Sequence, residues 1–137
     1  MSDILNRAST KDFNVIRKIS SGNFGHVYLV QNKQNKQYYA MKKVLKNLDY
    51  SDPKIDSFSI EKAIMLNSHS FWVVKLFCCF QDSHALYYAM DIMSGKNLEH
   101  LVKDIFPNMD EGLVHYYGAA ALMGINALHK IGYFDNN

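Results

Sequence analysis

Phe13, Val15 and Ile19 begin a stretch of alternating apolar and polar positions, and Val27, Leu29 and Val30 lie in an apolar stretch that follows. A period of two predicts strands, and Ser20-Ser21-Gly22-Asn23-Phe24-Gly25 between them predicts a hairpin turn. Asn32-Lys33-Gln34-Asn35-Lys36 is a second polar connection, after which Tyr38 to Leu45 reads as a third strand. The pattern then changes. Asp52-Pro53 has the form of an N-cap followed by proline in the first turn, opening a helix to about Leu66 with Phe58, Ile64 and Met65 among its apolar residues. Trp72 to Phe80 and Ala85 to Met90 predict two more strands around the turn Gln81-Asp82-Ser83-His84. Beyond Gly95 a short helix is expected over Leu98 to Lys103, Pro107 interrupts the chain, and Asp110-Glu111 starts a long apolar helix ending near Lys130.

Three strands, a helix, two strands and then helices alone predict an α+β fold: a five-stranded antiparallel sheet with one packed helix, attached to the start of a helical region. The expected divisions are a flexible segment over 1–11, a sheet domain over 12–91 and a helical part over 92–137. Gly112 to His129 carries no Asp, Glu, Lys or Arg, but it is short and interrupted by His115 and Asn126. A core helix is expected there, not a membrane span.

Composition adds exclusions. A net charge of +2 over 137 residues gives no reason to expect a nucleic-acid or membrane partner. Cys78 and Cys79 are neighbours, so on a strand they point to opposite faces and predict two buried thiols in a reducing compartment. With no long apolar segment at the N-terminus, a cytoplasmic location is expected. No metal-ligand cluster is expected either.

The chemistry concentrates in three places. Glycines at 22 and 25 let a turn bring backbone N–H groups close to phosphate oxygens, although taken alone this turn reads as an ordinary hairpin. Lys42 lies in a strand otherwise inclined to burial, where an unpaired ammonium is costly. Glu61 falls mid-helix beside Ile64 and Met65, near the apolar side. A pairing of Lys42 with Glu61 accounts for both placements, whereas an edge lysine and an exposed carboxylate would be the commonplace alternatives.

Ile19-Ser-Ser-Gly-Asn-Phe-Gly-His-Val27, Ala40-Met-Lys42 and Glu61 together resemble the front half of a eukaryotic protein kinase domain. Ser70-Phe-Trp-Val-Val-Lys-Leu-Phe77 and Phe80-Gln-Asp82 resemble the AGC group of serine/threonine kinases, especially its Rho-kinase, NDR and microtubule-associated branches. The resemblance covers about Asp12 to Phe134. It implies an N-lobe followed by a hinge and the first helices of a C-lobe, with ATP as ligand, a protein as substrate, and Mg2+ in a full-length form. The backbone of Ser21, Gly22, Asn23, Phe24 and Gly25 would cover the ATP phosphates, with Ile19 and Ser20 also in the nucleotide site. Lys42 would hold the α- and β-phosphates while paired to Glu61. Val27 and Ala40 would pack on adenine, Met90 would stand as gatekeeper, and the backbones of Asp91 and Met93 would bond the adenine edge. Met65 and Leu76 match members of the hydrophobic stack of active kinases.

Three departures shape the expectation. Ser20 replaces the first loop glycine, and Asn97 stands where AGC kinases usually carry a glutamate that contacts the ribose and a basic substrate residue. Leu128 to Phe134 leads to where the family places His-Arg-Asp, yet Asp135-Asn136-Asn137 follows. Aligned without a gap, Asn137 takes the family's catalytic aspartate position, where an amide cannot take the substrate proton as a carboxylate does. Alternatively, Asp135-Asn136 resembles the later Asp-Asn of the same loop with six residues missing, which also removes that aspartate. The expectation is therefore a kinase truncated before its catalytic loop, inactive by itself; a pseudokinase-like binding or decoy module is the alternative. Helix 111–130, apolar on more than one face, is expected to need a protein partner to cover it.

Overall fold

The computed structural model describes residues 8–22, 25–46, 53–95, 97–105 and 110–133. Asn23, Phe24, Asp52, Pro107 and Phe134 to Asn137 lie outside the described residues, as do the side chain of Phe58 and most of segment 1–11.

Five strands form one sheet: β1 (Phe13–Gly22), β2 (Gly25–Asn32), β3 (Tyr38–Leu45), β4 (Leu76–Gln81) and β5 (Ala85–Met90). Their order is β1-β2-β3-β5-β4, with every neighbouring pair antiparallel. The helices are α1 (Pro53–Asn67), α2 (Leu98–Ile105) and α3 (Glu111–Lys130). This is the expected α+β arrangement, a five-stranded antiparallel sheet with a helix followed by helices alone. The chain divides into two compact units, one of Met1–Leu66 with Val74–Ile92 and one of Asn67–Val73 with Met93–Asn137.

In the first unit each sheet face carries its own cluster, as strand alternation requires. Phe13, Val30, Tyr39, Met41, Cys78, Tyr87 and Ala89 are buried on one face. Their rings stack: Tyr39 on Phe77 at 4.2 Å, Phe13 on Phe80 at 6.0 Å, and Phe80 on Tyr87 at 5.0 Å between centroids. Val44, Cys79 and Tyr88 form the opposite cluster, closed by Met65 from α1. Cys78 and Cys79 thus fall on opposite faces, both buried. Burial pushes the Cys78 thiol up to about 12, with the neighbouring Cys79 and Asp12 adding to the effect.

Two expectations need correction. β4 begins at Leu76, not at Trp72. The Trp72 N–H donates to Ser70 Oγ at 3.2 Å and the Val73 N–H to the Ser70 carbonyl at 3.3 Å, so serine turn chemistry overrides the strand preference of Phe71-Trp72-Val73-Val74. In β1, Val15 and Ile19 are exposed although Phe13 is buried. Register shifts between Val15 and Arg17 and between Lys18 and Ser20 break the alternation.

In the second unit, Asp110 caps α3 by accepting the Leu113 N–H at 2.7 Å. The helix ends in a Schellman arrangement, Gly132 N–H to His129 O at 3.0 Å and Tyr133 N–H to Leu128 O at 3.1 Å, with Gly132 at φ +82°. A Cβ on Gly124 would lie 3.8 Å from the Trp72 carbonyl, so the Asn67–Val73 segment runs against α3. Among the described residues α3 buries only Ala127, while Val114, Tyr116, Leu122, Met123 and Ile125 are exposed. No helix among the described residues is long and apolar enough to cross a membrane.

Candidate functional site

β3 lies in the middle of the sheet, so Lys42 is flanked on both sides, opposite Val27 of β2 and Tyr88 of β5. Its ammonium donates to both Glu61 oxygens, at 2.9 and 2.7 Å, and only 17% of its side chain is exposed against 40% for Glu61. Glu61 and Met65 are one helical turn apart and share a face. Met65 sits in the cluster with Val44, Cys79 and Tyr88 and thereby fixes the helix where its carboxylate reaches the lysine. Removing one partner of a half-buried charged pair costs about 1–3 kcal/mol, chiefly through the charge left behind. Tyr88 is a neighbour that no local pattern singled out. Burial pushes its hydroxyl up to about 12, and the negative charge of Glu61 contributes.

The hairpin joining β1 to β2 is rooted close to this pair. Ser20 faces Val27, Ser21 faces His26 and Gly22 faces Gly25. Gly25 adopts φ +111°, and a Cβ there would stand 2.3 Å from the Lys43 carbonyl oxygen. Only glycine lets β2 start so close to β3. Ile19, Ser20 and Ser21 are exposed; Asn23 and Phe24 lie outside the described residues.

The register also sets which side chains share a face with Lys42. Paired residues in antiparallel strands point to the same side. Val27 is paired with Lys42; Ala40 is paired with Leu29 on one side and Met90 on the other, and Met90 with Leu76. Val27, Ala40, Met90 and Leu76 are all half-buried, giving an apolar floor beside the ammonium. Lys43 is on the reverse face, its amine 5.9 Å from the centre of the Tyr87 ring. At the end of β5 the Asp91 N–H donates to the Lys75 carbonyl at 3.1 Å, so what the Asp91 backbone can offer a ligand is its carbonyl.

Met93 and Asn97 belong to the second unit. Met93 is exposed. Asn97 serves α2: its Oδ1 accepts the His100 N–H at 2.9 Å and its carbonyl the Leu101 N–H at 3.1 Å. That capping role is what its residue type favours. Among the described residues no three His, Cys, Asp or Glu side chains converge as a metal site. A cavity at the β4–β5 edge, lined by Lys62, Cys79, Gln81 and Leu86 among others, contains none of the residues assigned to nucleotide.

The sequence profile of the protein kinase domain matches residues 13–134. Serine/threonine-protein kinase CBK1 of Eremothecium gossypii is 35% identical over 133 residues, which cover 96% of this chain and 18% of that protein. CBK1 of Saccharomyces cerevisiae is 33% identical over 131 residues, covering 96% of this chain and 17% of the relative. Serine/threonine-protein kinase cot-1 of Neurospora crassa is 35% identical over 129 residues, covering 93% and 21% respectively. The chain therefore spans about a fifth of the length of these curated relatives. It belongs to the protein kinase domain family.

Proposed function

We propose that this chain is the ATP-gripping part of a serine/threonine protein kinase. The bidentate Lys42–Glu61 pair carries this reading. It holds an ammonium at the edge of an apolar floor of Val27, Ala40 and Met90, beside a glycine hairpin. In that role Lys42 binds the α- and β-phosphates and Glu61 orients it. The backbone of Ser21, Gly22, Asn23, Phe24 and Gly25 covers the phosphates, Ile19 and Ser20 belong to the same nucleotide site, and the Asp91 carbonyl takes an adenine donor. Met93 offers hinge backbone to the adenine edge, and Asn97 is a nucleotide-site residue at the position where AGC kinases usually carry a ribose-contacting glutamate. Met65 and Leu76 belong to the hydrophobic stack. The N-lobe ends at residue 91, and the location is cytoplasmic.

The complete protein would transfer the γ-phosphoryl of Mg-ATP to a protein hydroxyl. Phosphoryl transfer needs a base and metal carboxylates as well as a phosphate clamp. The 137 residues hold neither His-Arg-Asp nor Asp-Phe-Gly, so this chain by itself is proposed to bind nucleotide weakly without transferring phosphate. Calorimetric titration with Mg-ATP tests the clamp: weak binding is expected, lost in Lys42→Met. Binding that Lys42→Met leaves unchanged would overturn the assignment. Phosphate transfer by the purified chain, lost in the same variant, would contradict inactivity.

The exposed apolar residues of α3 favour a second reading, in which the chain is a non-catalytic binding or decoy module whose protein partner covers helix 111–130. A monodisperse monomer that melts cooperatively and binds no dye for apolar surface would exclude it.

A further inference from the structure

β1 is an edge strand, and every residue from Asn14 to Ser21 is exposed. Its sequence there is Arg17-Lys18-Ile19-Ser20-Ser21, two cations shortly before two hydroxyls. Both register shifts of the β1–β2 ladder fall in this stretch, leaving Ile16 and Ile19 without a paired partner in β2. The segment is thus already extended, accessible from its open edge and weakly laddered, the state in which a modifying enzyme can take up a peptide. The two serines differ in direction. Ser20 pairs with Val27, which pairs with Lys42, so all three share one face of the sheet. Ser21 pairs with His26, which pairs with Lys43, on the reverse face. Two strand spacings put the Ser20 backbone about 10 Å from that of Lys42, a gap that a phosphoserine and a lysine side chain reaching towards each other can close.

We infer that Ser20 is a phosphoacceptor for an arginine-directed serine/threonine kinase, and that its phosphate engages Lys42 and blocks the nucleotide clamp. The blocking half rests on the nucleotide reading above; the modification does not. In the transfer, Ser20 Oγ attacks the γ-phosphorus of ATP bound to the modifying kinase. The new O–P bond forms as the bond to the β,γ-bridging oxygen breaks. ADP leaves with that electron pair, and the hydroxyl proton passes to the modifying kinase's carboxylate base. The added group carries close to two negative charges and three acceptor oxygens, in a row with an ammonium and where nucleotide phosphates would lie. Serine in place of glycine at this position supplies the hydroxyl that such control requires.

The test treats the chain, Ser20→Ala, Ser21→Ala and Arg17→Ala with a purified arginine-directed kinase and Mg-ATP, and maps phosphate by tandem mass spectrometry. Phosphate on Ser20 is expected, absent in Ser20→Ala, retained in Ser21→Ala, and reduced at least roughly tenfold in Arg17→Ala, where the guanidinium is the recognition element. Circular dichroism verifies that each variant is folded. No phosphate on Ser20, or phosphate on Ser21 alone, overturns the inference. Phosphorus NMR then follows the second ionisation of phosphoserine. It should lie below that of the phosphorylated Lys42→Met variant, and equal values overturn the Lys42 contact. Finally, phosphorylation should weaken binding of a fluorescent ATP analogue at least roughly tenfold, through like-charge repulsion and loss of the ammonium; unchanged affinity overturns the blocking role. An unmodified chain that binds no analogue refutes the nucleotide reading instead, and the mass and phosphorus measurements still decide the modification.

Discussion

Replacing Gly25 by alanine attacks the root of the glycine hairpin without touching any charged group. Two costs arise there. At φ +111° an L-residue lies outside even the left-handed helical region, a strain of about 1–3 kcal/mol. The added carbon would meet the Lys43 carbonyl oxygen at 2.3 Å and the carbonyl carbon at 3.2 Å. These are backbone atoms of a central strand, so relief requires β2 to move away by about 1 Å, straining ladder hydrogen bonds around the His26–Lys43 pair, each worth about 1 kcal/mol. The sum is about 3–5 kcal/mol, a large fraction of a small domain's stability. Gly132→Ala separates the terms, because φ there is +82° while nothing lies within 4 Å of the added carbon; about 1–2 kcal/mol is expected. Gly118→Ala in α3 has open space and no positive φ, and should stabilise by about 0.5–1 kcal/mol. Urea titration with pulsed hydrogen exchange and mass spectrometry follows β2–β3 and α3 separately. At about 1–3 kcal/mol per molar, Gly25→Ala should lower the β2–β3 midpoint by more than about 1 M. If it costs no more than Gly132→Ala, the close approach to Lys43 contributes nothing and the reasoning fails.

Alkaline unfolding should follow Tyr87 and Tyr88. Burial first, then charge interactions and for Tyr87 the hydrogen bond to Asp82, push both up to about 12 from 10, so the stability they confer is intact below pH 10 and lost from there towards 12. Absorbance-monitored tyrosine titration should show them ionising last, together with the loss of circular dichroism. Asp82 works in the opposite sense. Its carboxylate accepts the His84 N–H, the Tyr87 hydroxyl and the Ala85 N–H, which hold it below 3.8, so its stabilisation is present above that pH and fades as pH falls through the lowered value. Asp82→Asn should therefore lower the melting temperature at pH 7, with the difference shrinking in acid; a pH-independent difference would contradict the carboxylate's role. Cys78, raised from 9.0 to about 12, has its thiolate population cut about a thousandfold, and native chain should react with Ellman's reagent far more slowly than chain in denaturant.

The sheet was legible because its cues are local. Apolar-rich runs bounded by turn residues marked β2, β3 and β5, and two adjacent cysteines predicted opposite faces, as found for Cys78 and Cys79. Trp72 to Lys75 misled because branched and aromatic residues carry strand preference whether or not a neighbouring strand awaits them. The deciding contacts are two bonds to Ser70, whose hydroxyl and carbonyl hold Trp72 and Val73 in a turn. In β1 the bulges at Ile16 and Ile19 arise from pairing with β2, and one strand's residues do not reveal where its partner slips. The Lys42–Glu61 contact could be inferred because two residues in unfavourable surroundings explain each other. Tyr88 beside it carries no such mark, since a tyrosine in a strand satisfies every local rule.

The site's position follows from the sheet order. β3 is central, and the next strand in sequence, β4, lies at the far edge, beyond β5. The chain must therefore cross from the middle of the sheet past one strand, and α1 is that crossing. A helix lying over the β3–β5–β4 part has one face available, and Met65 seats it between Val44, Cys79 and Tyr88. One turn earlier the same face presents Glu61, at the strand where Lys42 stands. A central-strand lysine has both lateral neighbours occupied and cannot leave the sheet sideways, so its ammonium must find a partner above the face. The crossing helix supplies one, and the two hairpin strands β1 and β2 extend the same face on the other side. Topology, helix anchoring and charge compensation thus converge on one row of side chains, Ser20, Val27, Lys42 and Tyr88. That convergence is the geometry on which both proposals rest, in which a phosphate, nucleotide-borne or carried by Ser20, would meet one ammonium.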